Sequence, residues 1–270
     1  MRQNDHRAIG VFDSGVGGLT VLKALMERLP WESTFYLGDT ARVPYGTKSA
    51  EVVTRYSLKN AEFLISREIK LLVVACNTAS AAALPHLCRE LKVPVLGVIA
   101  PGAQAASASS RNGHIGVIGT PATIRSGAYQ RALQEARPGV QVKAMPCPLF
   151  VPLAEEGWVK GDVPRLVARE YLADFARSGV DTLVLGCTHY PLLKEVISEV
   201  VGEQVKLVDS AEATAVAAAQ LLESRGLLAA PGVEAQHRYF VTDVPERFAE
   251  VGARFLGRHI ASAEQVDLTF

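Results

Sequence analysis

Cys76 and Cys187 are the residues whose type and setting point most directly to chemistry. Each stands just beyond a short apolar run that reads as a buried strand, in LVVACNTASAAALPHL and in LVLGCTHYPLLKEV. Open α/β sheets place ligand groups beyond the carboxyl ends of their strands, so the two thiols are expected to face one cleft. A free thiol has a pKa of about 8.5, close enough to neutrality for a helix end, a hydrogen bond or a charge to poise it either way. Two equivalent thiols flanking one carbon suit inversion of that carbon. One removes a proton as thiolate, the other returns a proton to the opposite face, and reversal exchanges their roles. The spacing predicts helices over 77–89 and 191–200, directly after the cysteines, and the positive ends of both favour thiolate and bind carboxylate. Asn77, Thr78, Thr188 and nearby backbone N–H groups can hold a substrate's anionic groups and fix the reacting carbon between the sulfurs.

Three charged residues could assist: Asp13 in FDSG, Glu155 in PLAEEG and His189 beside Cys187. Asp13 ends the first strand of the segment that carries Cys76, and His189 adjoins the other cysteine, so they would serve opposite faces. Read alone, Asp13 equally caps the next helix, His189 is equally a satisfied buried imidazole, and Glu155 reads as a solvated loop charge.

The elements that must position these groups alternate. Short β-branched runs (AIGVF, TFYLG, KLLVVA, VPVLGVI, HIGVIG, VQVKAMP, TLVLG and VKLVD) are separated by helical patterns, among them Gly18 to Arg28, Ser49 to Arg67 and Pro164 to Ser178. That alternation means an α/β fold with parallel sheet flanked by helices. The pattern also repeats. IGVFDSGVGGLT from Ile9 aligns with IGVIGTPATIRSG from Ile115, and VPVLGVIAPGAQAA from Val93 with VKLVDSAEATAVAA from Val205. Cys76 lies 67 residues after Ile9, Cys187 lies 72 after Ile115, and the third pair follows its cysteines by 17 and 18 residues. Similar order and spacing imply two copies of one unit facing one cleft.

Length and composition fit two soluble domains or one large α/β domain. The chain has 270 residues, 49% apolar and 21% charged, with 28 basic against 28 acidic residues. This balance offers no global field to concentrate nucleic acid or an anionic membrane. The polar start lacks a secretory pattern, and no apolar run approaches the roughly 18 residues of a span. A cytoplasmic protein is expected. Four cysteines without a CxxC or zinc-ribbon spacing read as thiols rather than as disulfides or metal ligands, with Cys88 and Cys147 expected to be buried structural residues. LLESRGLLAAPGVEAQHRYF reads as helix packing, either an interface or a domain surface.

FDSGVGGLTV, LGDTARVPYGTKS, VVACNTASA, IGTPATIRSGAY, GCTHYPLL and LVDSA resemble the signature segments of the bacterial glutamate racemase family, and they span nearly the whole chain. The resemblance implies two pseudosymmetric α/β domains, residues 1–98 plus 208–270 and residues 99–207, with the active site between them. It implies that Cys76 deprotonates D-glutamate and Cys187 deprotonates L-glutamate, assisted by Asp13, Glu155 and His189. Glu155 is chosen over Glu156 by its place after PLA. Substrate contacts carry over to Asp13, Ser14, Tyr45, Gly46, Asn77, Thr78, Thr188 and His189. The resemblance implies that no cofactor and no metal is needed, that the product D-glutamate supplies peptidoglycan, and that the chain pairs as a homodimer, as is common in the family. Rival readings are aspartate or hydantoin racemase, maleate isomerase or a one-thiol decarboxylase on the same scaffold, and a metal-binding or redox-sensing module using Cys76, Cys187 and His189. The paired cysteines exclude the one-thiol case, and LGDTARVPYG favours glutamate.

Overall fold

The computed structural model describes residues 5–268, so the first four residues of the polar lead lie outside the described residues. The chain begins with β1 (Ile9–Asp13), α1 (Leu19–Arg28), β2 (Thr34–Gly38), α2 (Ala50–Ile65), β3 (Leu71–Val74), α3 (Asn77–Glu90) and β4 (Val95–Gly97). It continues through α4 (Ile99–Ser109), β5 (His114–Gly119), α5 (Pro121–Arg125), α6 (Ala128–Ala136), β6 (Gln141–Pro146), α7 (Phe150–Glu155), α8 (Asp162–Leu172), β7 (Thr182–Gly186), α9 (Lys194–Val201) and β8 (Lys206–Asp209). It closes with α10 (Ser210–Ser224), β9 (His237–Val241), α11 (Pro245–Leu256) and β10 (Glu264–Gln265).

Every strand pairing is parallel. One sheet runs β10-β9-β2-β1-β3-β4 and the other β6-β5-β7-β8. The first four strands of each copy therefore share one order, with the opening strand at the centre, the second on one side and the cysteine-bearing third on the other. Helices cover both faces of such sheets, which is why β1, β3 and β7 are unbroken buried runs rather than alternating ones. The order reverses beside β1 and beside β5, and at such switch points the loops at the carboxyl ends of neighbouring strands part to leave a crevice.

Helix starts follow local chemistry. Ser49 caps α2 by accepting from the Val52 N–H, and Thr120 caps α5 by accepting from the Thr123 N–H. Asp209 ends β8 and caps α10 through the Ala211 N–H. α10 then leaves the second sheet and buries Ala211, Ala215, Ala218 and Leu222 in the core around α1 and β1.

Four expectations need correction. The helix expected over 164–178 ends at Leu172, because the chain tightens into successive turns that drive the fully buried Phe175 beneath Gly116. The helix expected over 191–200 is split into a 3₁₀ turn, Tyr190–Leu193, followed by α9. Pro191 disfavours helical backbone at Tyr190 and supplies no N–H. The segment read as continuous helix packing stops at Ser224, and its HRYF end becomes β9, hydrogen-bonded to β2. Cys88 lies on the exposed face of α3 instead of in the core, while Cys147 is buried as expected.

Candidate active site

β3 delivers Cys76 to the N-cap of α3, where its Sγ accepts from the Ala79 N–H at 3.5 Å. The positive end of a fourteen-residue helix thus meets this sulfur. Cys187 follows β7 in the equivalent place, but the 3₁₀ turn after it gives no comparable helix end. Its positive neighbour is instead His189, whose Nδ1 lies 3.8 Å from Cys187 Sγ and whose Nε2 lies 2.9 Å from Glu155 Oε1. The ring packs edge-on against Phe255 of α11.

A cavity of about 130 Å³ separates the two sheets' strand ends, smaller than the roughly 300–1,000 Å³ of sites for drug-sized ligands. Ser14, Tyr45, Gly46, Cys76, Asn77, Thr78, Cys187, Thr188 and His189 all line it. Asp13 and Glu155 do not. Asp13 is fully buried behind Ser14, with Oδ2 accepting from the Gly15 N–H and Oδ1 unpartnered. Glu155 backs His189 from the far side and faces a neighbouring depression.

The wall also contains residues not singled out from the sequence: Val43, Pro44, Thr47, Thr120, Pro121, Pro148, Val151 and Pro152. Thr120 was within reach, because the alignment of IGVFDS with IGVIGT sets it against Ser14. Its hydroxyl meets those of Thr78, at 2.9 Å, and Thr123, at 3.0 Å, joining α3 to α5 across the cleft. The prolines and Val43 lie in loops whose conformation no periodicity reports. Tyr45 lines the cavity without offering its hydroxyl, which donates to Asp39 and accepts from Asn60 Nδ2 at 3.0 Å.

The same alignment sets Asp13 against Gly119, and matching Cys76 with Cys187 sets His189 against Thr78, so the charged assistants break the symmetry. Burial, reinforced by the charge of Asp13, pushes the Cys76 thiol up to about 12 against the opposing Ala79 and Ser14 hydrogen bonds. Burial likewise raises Asp13, opposed by His189. At His189 burial works against the charge, but the hydrogen bonds and negative charges of Cys187 and Glu155 outweigh it and lift the imidazole to about 10. Burial would raise Glu155, yet His189 holds it below its usual value. The site therefore presents a protonated thiol on one side and, on the other, an imidazolium that stabilises negative charge on sulfur.

Gly17 makes the arrangement possible. A Cβ there would fall 2.3 Å from Thr188 Oγ1 and 2.5 Å from His189 Nδ1, so the loop after β1 can close on the Cys187 side only without a side chain. Among the described residues no group of three or more His, Cys, Asp or Glu side chains is arranged to hold a metal ion. Nor is any helix long and apolar enough to cross a membrane.

Residues 10–218 match the Asp/Glu/Hydantoin racemase family. A glutamate racemase of Geobacter metallireducens is 60% identical over 97% of both chains. A glutamate racemase of Francisella tularensis, solved in complex with D-glutamate, is 41% identical, covers 98% of both chains and superposes with a TM-score of 0.91. An aspartate racemase of Picrophilus torridus, at 20% identity and a TM-score of 0.55 over 82% of this chain and 94% of its own, shares the fold alone. With this match over most of its length and relatives this similar, the chain belongs to the Asp/Glu/hydantoin racemase family.

Proposed function

We propose that this chain interconverts L- and D-glutamate by a two-thiol mechanism, without a cofactor, and supplies D-glutamate for peptidoglycan synthesis. The observation that carries this reading is one small cavity with a cysteine at the end of β3 and another at the end of β7. Cys187, as thiolate beside the His189 imidazolium, takes the α-proton of L-glutamate. Cys76, held protonated, gives its proton to the opposite face. In reverse, Cys76 removes the α-proton of D-glutamate with Asp13 behind it. The carbanion between these steps is stabilised as its carboxylate gains charge, by preset donors rather than by reorganising water. Asn77, Thr78, Thr188 and Ser14 supply such donors, and the loop of Tyr45 and Gly46 closes the cavity.

A two-domain division at residues 1–98 plus 208–270 and 99–207 accompanies this reading, supported by the burial of α10 residues in the core of the first sheet. We also read the protein as a cytoplasmic homodimer that binds neither nucleic acid nor membrane. Exposed Trp158, Val163 and Leu166 are side chains that association would cover.

Polarimetry on L- and D-glutamate and on both enantiomers of aspartate, with purified protein alone, tests the reading. Both glutamate enantiomers should decay to an equal mixture, with aspartate slower by about tenfold or more, since one missing methylene in a fitted site costs that much. Turnover of aspartate with silence on glutamate would move the substrate; silence on both would overturn the reading.

A further inference from the structure

Asn77 is the first residue of α3, buried, and part of the cavity wall. Its two amide atoms are in different situations. Oδ1 accepts from the hydroxyl of Tyr129 at 2.7 Å, while Nδ2 is buried with no partner within the protein. A carboxamide can present either a donor or an acceptor to a ligand, and which one depends on what holds its other end. Tyr129 comes from α6, in the layer of the second sheet, so the group that holds Asn77 reaches across from the other copy of the repeat.

The hydroxyl of Tyr129 is fixed as a donor. Its side chain is 1% exposed, and burial raises the phenol well above its ordinary value, so it keeps its proton. The ring is seated against Gly186, where a Cβ would lie 2.9 Å from Cε2, so the phenol is located by backbone at the last residue of β7, directly before Cys187. A flipped Asn77 would aim its carbonyl into the cavity and set the carboxylate of a substrate against a second acceptor.

We propose that Tyr129 is a specificity-determining positioning residue: by holding Asn77 Oδ1, it commits the Asn77 Nδ2 donor to the cavity, where it recognises a carboxylate oxygen of the substrate. The inference rests on the glutamate reading above. It also makes recognition depend on the approach of the two halves, because α3 carries the donor and α6 sets its direction.

The test compares wild type, Tyr129→Phe, Asn77→Ala and the double variant in glutamate racemisation. Tyr129→Phe keeps the ring and removes the one donor; KM should rise about tenfold with kcat changed much less, the scale of one misdirected hydrogen bond to a charged group. In the Asn77→Ala background the same change should alter kcat/KM by less than about twofold, because Tyr129 acts through Asn77. Losses that simply add, or a Tyr129→Phe KM within about twofold of wild type, would overturn the inference while leaving the glutamate reading intact. A wild type silent on glutamate would overturn both. An independent check uses wild-type protein: the side-chain NH2 signals that vanish in Asn77→Ala should shift when D-glutamate is added, and unmoved signals at saturation would also overturn it.

Discussion

Replacing Glu155 by Gln keeps an oxygen 2.9 Å from His189 Nε2 and removes only its charge. The rise of His189 from 6.5 to about 10 corresponds to about 5 kcal/mol of preference for the imidazolium, at ~1.4 kcal/mol per pKa unit. Cys187 and Glu155 supply it against the opposing effect of burial. The Glu155 side chain is 28% exposed, so its share is the screened one, roughly 1 kcal/mol. The sign follows directly. His189 is charged below its pKa, so the reactive form is lost as pH rises through about 10 in wild type and at lower pH in Glu155→Gln. Profiles of kcat/KM against pH report this limb in the free enzyme. Mirror-image substrates have an equilibrium constant of unity, and the forms ready for L- and D-glutamate differ only in which sulfur holds the proton. The limb must therefore move equally whichever enantiomer is supplied. A loss of activity uniform across pH, with the limb still at about 10, would refute the claim that Glu155 acts through the charge on His189.

Two further perturbations separate stability from activity. Asp13→Asn removes a buried carboxyl whose raised pKa means that folding favours its neutral form, so its unfavourable contribution grows as pH rises above 3.8. This variant should unfold at a higher temperature than wild type at pH 8, with the difference shrinking towards pH 4, yet lose about 10²-fold in kcat; a destabilised variant at pH 8 contradicts this. Gly17→Ala sets a methyl against Thr188 and His189, and should lower kcat/KM by about 10²-fold through displacement of the imidazole from Cys187, with roughly 1–3 kcal/mol lost in urea unfolding. Wild-type kinetics in Gly17→Ala would show that the contact with His189 is immaterial.

Much of the architecture was legible because buried parallel strands are continuous apolar runs, and eight such runs stand in the sequence in two matching sets. β9 was missed because His237, Arg238 and Tyr239 give no apolar run, and its pairing with β2 joins residues about two hundred positions apart. The cysteine pair was legible for a different reason: a polar run after a buried strand is unusual unless it faces a ligand. The two copies differ at the helix ends: the repeat predicts a helix dipole at both sulfurs, whereas a 3₁₀ turn containing Pro191 follows Cys187 and His189 supplies the positive charge instead. The placement of Asp13 and Glu155 behind the wall, and of Tyr129 behind Asn77, depends on tertiary contacts that no local pattern encodes.

The most direct test of two thiols on opposite faces is proton exchange at the α-carbon in deuterium oxide, followed by NMR from each enantiomer separately. In wild type, newly formed product should carry deuterium while the remaining substrate keeps its proton early in the reaction, because each face is served by its own sulfur. Cys76→Ser and Cys187→Ser should each lose racemisation by about 10³-fold or more, equally in both directions. Early deuterium in unreacted substrate together with its appearance in product, or full racemisation in either cysteine variant, would contradict the two-thiol account.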